Sequence, residues 1–247
     1  MYRYKIYIEY NGTNLNGWQS QKNAFGVQEA IEKALISMKF QTTSVVGAGR
    51  TDAGVHAIEQ IAHFDCDRYY DEFRFKQGLN YYLKTYGIAI AKVERLLQAD
   101  GFHARYDAKS RSYIYKILNR NYPETFDTNL VWWIPYPMDV EKMQAACQLL
   151  IGTQDLSTFR ARGCQSKSPV KTINEITITK DNQLIIIFIK APSFMYHQVR
   201  NIVGALSYVA TGIWTIEKFH KALLACDRTK GSITAPAKGL YLFKVEY

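Results

Sequence analysis

Tyr2-Arg3-Tyr4-Lys5-Ile6-Tyr7-Ile8-Glu9-Tyr10 sends alternate side chains to opposite faces, the period of a strand, and Asn11-Gly12-Thr13-Asn14 is turn chemistry that ends it. The next periodic stretch is of another kind. Over residues 27–38 the apolar residues Val27, Ile31, Ala34, Leu35 and Met38 fall at helical spacing with Glu29, Glu32 and Lys33 opposite, which predicts an amphipathic helix. Residues 42–46 are β-branched, residues 47–56 are rich in glycine, and residues 60–66 alternate again, so the expectation is strand, functional loop, strand. A helix over 71–83 and a strand over 87–96 complete the order β-α-β-β-α-β.

The second half repeats that order without obvious identity: strand 112–118, helix 140–150, strands 173–179 and 183–189, a helix from about 193 to 210, an added helix over 215–226 and a closing strand over 240–247. The expected fold class is α+β: two split-βαβ, ferredoxin-like modules with antiparallel sheets and helices on one face. The boundary falls within residues 102–108, giving a module of residues 1–105 and another of 106–247. No Pro- or Gly-rich linker separates them, so close packing with a cleft between the modules is expected.

Composition narrows the function. Of the 247 residues, 47% are hydrophobic and 21% charged, which suits a globular core and excludes disorder, while 15 Gly and 6 Pro exclude fibrous classes. No apolar run approaches the ~20 residues of a membrane span. The first ten residues lack the apolar core and cleavage site of a signal peptide, so the expected compartment is the cytoplasm. Lysine and arginine number 31 against 22 acidic residues, a net charge of +9, and 18 Tyr accompany them. Cations neutralise phosphates and aromatic faces stack on bases, which suits a nucleic acid as partner, but composition alone gives about equal weight to a basic enzyme whose charge only keeps it soluble. Cys66, Cys147, Cys164 and Cys226 are scattered, and His56, His103 and His197 have no ligand spacing, so neither disulfides nor a metal is expected.

The sharpest signal is Gly47-Ala48-Gly49-Arg50-Thr51-Asp52-Ala53-Gly54-Val55-His56. An aspartate in such a turn is by default a turn former. Small neighbours and the glycines Gly49 and Gly54, however, let a bulky substrate reach the Asp52 carboxylate. This stretch closely resembles the tRNA pseudouridine synthase A family, in which Gly-Arg-Thr-Asp-Ala-Gly-Val-His surrounds the catalytic aspartate. Further resemblance lies in Tyr10-Asn11-Gly12-Thr13 with Gly17-Trp18-Gln19, Phe102-His103-Ala104-Arg105, Arg111-Ser112-Tyr113-Ile114-Tyr115, Val199-Arg200-Asn201-Ile202-Val203-Gly204, Asp227-Arg228 and Gly239-Leu240-Tyr241-Leu242.

The resemblance implies an isomerase that needs no cofactor or metal and turns uridine into pseudouridine at positions 38 to 40 of the tRNA anticodon stem-loop. It implies a homodimer whose two subunits both touch tRNA. Asp52 becomes the catalytic carboxylate, by attack on sugar or base or by abstraction of a sugar proton. Arg200 becomes the cation that pairs with it, its planar fork suiting a carboxylate. Tyr113 becomes the ring that stacks on uracil with its hydroxyl near C5, whereas Tyr115 reads as structural. Arg50 fills the space of the flipped base, braces the loop or meets a phosphate. Arg105 and Arg160 are further candidate RNA contacts, the latter in the basic stretch 159–168 with Cys164, which is not expected to be a nucleophile. Lys221, Lys230 and Lys238 are candidates for the same basic surface. The competing class is a non-catalytic tandem RNA-binding protein in which Asp52 only shapes a turn, but an acidic residue in a basic groove is a poor choice for a pure binder. A third reading, an RNA hydrolase, lacks the paired carboxylate or metal cluster it would need.

Overall fold

A computed structural model describes residues 1–21, 24–42, 44–97 and 101–247. The chain forms two compact units, Met1–Lys109 with Tyr241–Tyr247, and Ser110–Leu240. In the first, β1 (Tyr2–Tyr10) buries Tyr4, Ile6, Ile8 and Tyr10 in strict alternation. It is followed by α1 (Val27–Ser37), the two-residue β2 (Val46–Gly47), β3 (His56–Cys66), α2 (Glu72–Leu83) and β4 (Ile88–Leu96). β1 pairs antiparallel with both β3 and β4, and β2 lies antiparallel to β3. Asp71 caps α2 by accepting the Arg74 N–H at 3.0 Å. α1 has no side-chain cap; its entry is closed instead by the Gly17 and Trp18 carbonyls, which take the N–H groups of Val27 and Gln28 at 3.0 and 2.9 Å. Phe75 of α2 meets Tyr4, Phe40 and Phe64, and this aromatic cluster joins helix to sheet. Of the strand expected over 42–46, Thr43 lies outside the described residues, Thr42 makes an isolated bridge to Cys66, and Val46 opens β2.

The second unit contains β5 (Ser110–Asn119), β6 (Trp132–Ile134), α3 (Val140–Gln148), β7 (Gly152–Asp155), β8 (Val170–Ile173), β9 (Glu175–Asp181), β10 (Leu184–Ala191), α4 (Gln198–Ala210) and α5 (Ile216–Leu224). β10 pairs antiparallel with β5 and β9, β6 runs parallel to the end of β5, and β7 and β8 form a separate antiparallel ribbon. α4 is the central helix, buried over eleven of its thirteen residues. The molecule is thus α+β with a mainly antiparallel sheet, as expected, and with parallel pairs at β5–β6 and at the terminal strand.

That terminal strand, β11 (Leu240–Glu246), was counted with the second half on sequence grounds. From Tyr241 onward it clusters with the first unit, because Tyr241 and Leu242 pair in parallel with His56 and Ala57 of β3. The helix expected from residue 193 begins at Gln198. His197 sits in the left-handed region at φ 59° and interrupts the backbone there.

Candidate active site

The loop between β2 and β3 is fixed residue by residue. At one end Ala48 N–H donates to the Ile61 carbonyl at 2.7 Å, and the fully buried Gln60 donates Nε2 to the Gly49 carbonyl at 2.8 Å. At the other, Val55 N–H returns to the Asp52 carbonyl at 3.1 Å, closing a turn whose third residue, Gly54, has φ +77°. From outside, the segment after β1 clamps the loop. Trp18 N–H donates to the Thr51 carbonyl, Gly54 N–H to the Leu15 carbonyl, and Gly12 N–H to His56 Nδ1 at 3.0 Å, while Tyr10 OH and Thr51 Oγ1 share a bond of 2.8 Å. Contact is close enough to demand glycine: a Cβ on Gly12 would lie 2.1 Å from the Val55 carbonyl oxygen, and one on Gly17 2.3 Å from that of Thr51. Asp52 therefore has an anchored backbone and a half-buried side chain, next to an exposed Arg50. Gly49 has open space beside it, with nothing within 4 Å of an added Cβ.

In the second unit Tyr113 lies on β5 opposite Ile189, half-buried, with its ring edge-on to Phe194 at 5.2 Å. Tyr115 is fully buried and donates its hydroxyl to the Pro236 carbonyl at 2.7 Å. Burial raises its pKa well above the phenol range, against the opposing charge of Arg200, so it is a packing residue. Arg200 occupies the first turn of α4, half-buried, and donates Nε to the Ala235 carbonyl at 2.8 Å.

The weaker candidates fall differently. Arg105 is exposed, on a turn anchored from beneath: Arg3 donates to the Phe102 carbonyl, Tyr247 OH to the Ala104 carbonyl, and Ala104 N–H to His63 Nδ1. Arg160 is half-buried and donates Nη2 to the Cys164 and Ser166 carbonyls at 3.0 and 2.7 Å, which gives the stretch 159–168 an internal brace. Cys164 holds more than sequence suggested. Burial raises its thiol pKa, but hydrogen bonds from Ser166, Tyr196 and Arg160 outweigh it, and the net direction is down. Lys238 pairs with Glu124 at 2.5 Å. His197 is the left-handed residue ahead of α4 and not the packed helix residue expected. Among the described residues no group of three His, Cys, Asp or Glu could hold a metal ion.

Sequence reasoning gave no task to Tyr10, Gly12, Gly17, Trp18 and Gln60. For the first four the signal was the quoted resemblance within residues 10–19, whereas Gln60 carried none; that all five hold the Asp52 loop is visible only in the folded chain. Comparison with known proteins agrees with the family resemblance. The family model described as "tRNA pseudouridine synthase" matches residues 146–247. A protein of Ehrlichia chaffeensis named "tRNA pseudouridine synthase A" is 47% identical over 246 residues, covering 99% of this chain and 100% of its own. One of the same name from Rhodospirillum rubrum is 43% identical over 247 residues, covering 100% of this chain and 88% of its own.

Proposed function

This chain belongs to the tRNA pseudouridine synthase A family, and from that premise we propose that it isomerises uridine to pseudouridine in tRNA, at positions 38 to 40 of the anticodon stem-loop. The observation that carries the reading is identity of 43% and 47% to relatives of that name over the length of the chain. In the reaction the C1′–N1 bond breaks, the uracil turns and a C1′–C5 bond forms. C5 loses one proton and N1 gains one, so the balance needs neither oxidant nor co-reactant.

Asp52 supplies the ionised carboxylate, as nucleophile or as base. Its support is a half-buried side chain on a backbone anchored from both sides. Arg200 favours the charged carboxylate, Tyr113 stacks on the uracil, and its hydroxyl assists loss of the C5 proton. A paired base must first leave its stack, at a cost of a few kcal/mol. Arg50 meets the vacated space or a phosphate, Arg105 a phosphate, and Arg160 shapes an RNA-facing loop. The range of target positions calls for recognition by shape and phosphates more than by base edges. The same reading gives a homodimer with tRNA across both subunits, working in the cytoplasm. Among the described residues no helix is long and apolar enough to cross a membrane. Sedimentation with and without tRNA tests the dimer.

The test of the function is incubation of purified protein with unmodified tRNA and no additive, followed by mapping of pseudouridine. Conversion at the anticodon stem-loop is expected, and its absence overturns the reading. Asp52→Asn keeps the shape and removes the reactive carboxylate, so it is expected to abolish product while tRNA affinity stays within a few fold. Near-wild-type turnover in that variant would leave Asp52 a turn former.

A further inference from the structure

The residue after Arg200 is more deeply placed than Arg200 itself. Asn201 is 1% exposed on a helix that is mostly buried, where an amide is costly unless its groups are matched. Here both ends are matched. Nδ2 donates to the Phe159 carbonyl at 2.9 Å, and Oδ1 accepts from Thr234 Oγ1 at 2.6 Å and from Arg228 Nη2 at 3.2 Å. Arg228 also donates Nη1 to the Ser232 carbonyl at 2.9 Å and Nη2 to Thr234 Oγ1 at 3.3 Å. These bonds fasten residues 232–234 to α4. One residue on, Ala235 exchanges two bonds with Arg200: its N–H donates to the Arg200 carbonyl at 3.1 Å, and its carbonyl accepts Arg200 Nε at 2.8 Å. Gly204, a turn further along α4, lets the segment lie close, since a Cβ there would be 2.0 Å from the Ile233 carbonyl oxygen.

The Ala235 carbonyl thus anchors the Arg200 guanidinium at Nε. With Nε engaged on it, the two terminal nitrogens form the edge with which the fork meets an anion. The direction of that edge depends on where residue 235 is held, and residue 235 is held through Thr234, Asn201 and Arg228.

We propose that Asn201, Thr234 and Arg228 are positioning residues for the isomerisation: they lock the 232–235 segment onto α4 and so aim the guanidinium of Arg200. The proposal rests on the role given to Arg200 above. A displacement of about 1 Å in a catalytic constellation costs on the order of 100-fold in rate, so a partial loosening should be readable kinetically.

The experiment compares Thr234→Val, which keeps shape and removes the hydroxyl, with Thr234→Ser, which keeps it. Each is measured for single-turnover pseudouridine formation at saturating tRNA, for tRNA Kd and for thermal midpoint, alone and combined with Arg200→Ala. Thr234→Val is expected to slow the chemical step about tenfold or more with Kd within about twofold, and Thr234→Ser to restore most of the rate. In the Arg200→Ala background Thr234→Val should add less than about twofold, because there is no longer a guanidinium to aim. That non-additivity is the signature that general loosening of the fold would not give. Arg228→Lys, which keeps charge but loses the fork, is expected to behave as Thr234→Val does and serves if the latter fails to fold. A slow Arg200→Ala with a full-rate Thr234→Val and Arg228→Lys overturns this proposal alone, as does full multiplicativity in the double variant. A full rate in Arg200→Ala overturns the role of Arg200 and this proposal with it.

Discussion

His63 is 5% exposed and accepts the Ala104 N–H on Nδ1 at 3.1 Å, which requires a ring neutral at that atom. Burial, then the neighbouring His103 and Arg3, push its pKa down to about 4, with Asp65 and Asp107 opposing. The unfolded ring titrates near 6.5, so between these values the unfolded chain binds the extra proton. Stability from His63 is therefore complete above pH 6.5 and is lost as pH falls towards 4, by at most about 3 kcal/mol. Thermal midpoints from pH 7.5 to 4.5 should show this fall in wild type and a shallower one in His63→Gln; equal slopes would refute it. Tyr113 carries a second expectation. If its hydroxyl assists loss of the C5 proton, Tyr113→Phe should stall after glycosidic cleavage, and tritium release from C5-labelled uridine under single turnover should drop; an unchanged rate leaves the ring as a stacking platform. Tyr115 was read as structural because that is the ordinary role of a strand tyrosine and the resemblance gives the functional one to Tyr113; its burial agrees. Asn201 and Cys164 were not legible in the sequence, because the partners that define them lie at residues 159, 228 and 234, and at 160, 166 and 196. Side chains whose meaning depends on distant carbonyls leave no local pattern.

Helices were legible where an amphipathic stripe met a recognisable end, as in α2 behind Asp71 and α5 behind Thr215, whose hydroxyl accepts the Lys218 N–H. α4 was read five residues too long because Phe194 and Met195 continue its apolar stripe, although Gln198 turns back to accept the Met195 N–H at 2.7 Å. β6 and the β7–β8 ribbon, three and four residues per strand, are too short for a period to register. The element that holds Asp52 gives a direct test. Gly12→Ala would set a Cβ against backbone that cannot swing aside, so it is expected to destabilise by about 1–3 kcal/mol and to lower turnover more than tRNA affinity. Gly49→Ala, with open space around the new methyl, should leave the thermal midpoint unchanged. Equal midpoints for the two variants, by calorimetry, would mean that the clamp after β1 is looser than the bonds across it indicate.

The +9 charge belongs to the whole chain, and its expected consequence is binding to tRNA that weakens steeply with salt, with a slope of roughly −0.7 to −0.9 per phosphate contact in a log–log plot. A flat titration would detach the charge from RNA. The path of the chain through the molecule has a consequence for its biosynthesis. Tyr241 and Leu242, which complete the pairing of β3 at His56 and Ala57, are translated only after the whole of Ser110–Leu240 has been synthesised. Until then that end of β3 is paired on the β1 side only, and the His56 ring, which takes the Gly12 N–H, lacks the Tyr241 ring that stacks on it at 4.6 Å. A nascent or nicked chain ending before residue 241 should therefore carry an open strand edge beside an unfinished Asp52 loop, a substrate for chaperones and proteases. Competence would then arrive late and all at once, as a property of chains translated past Leu242.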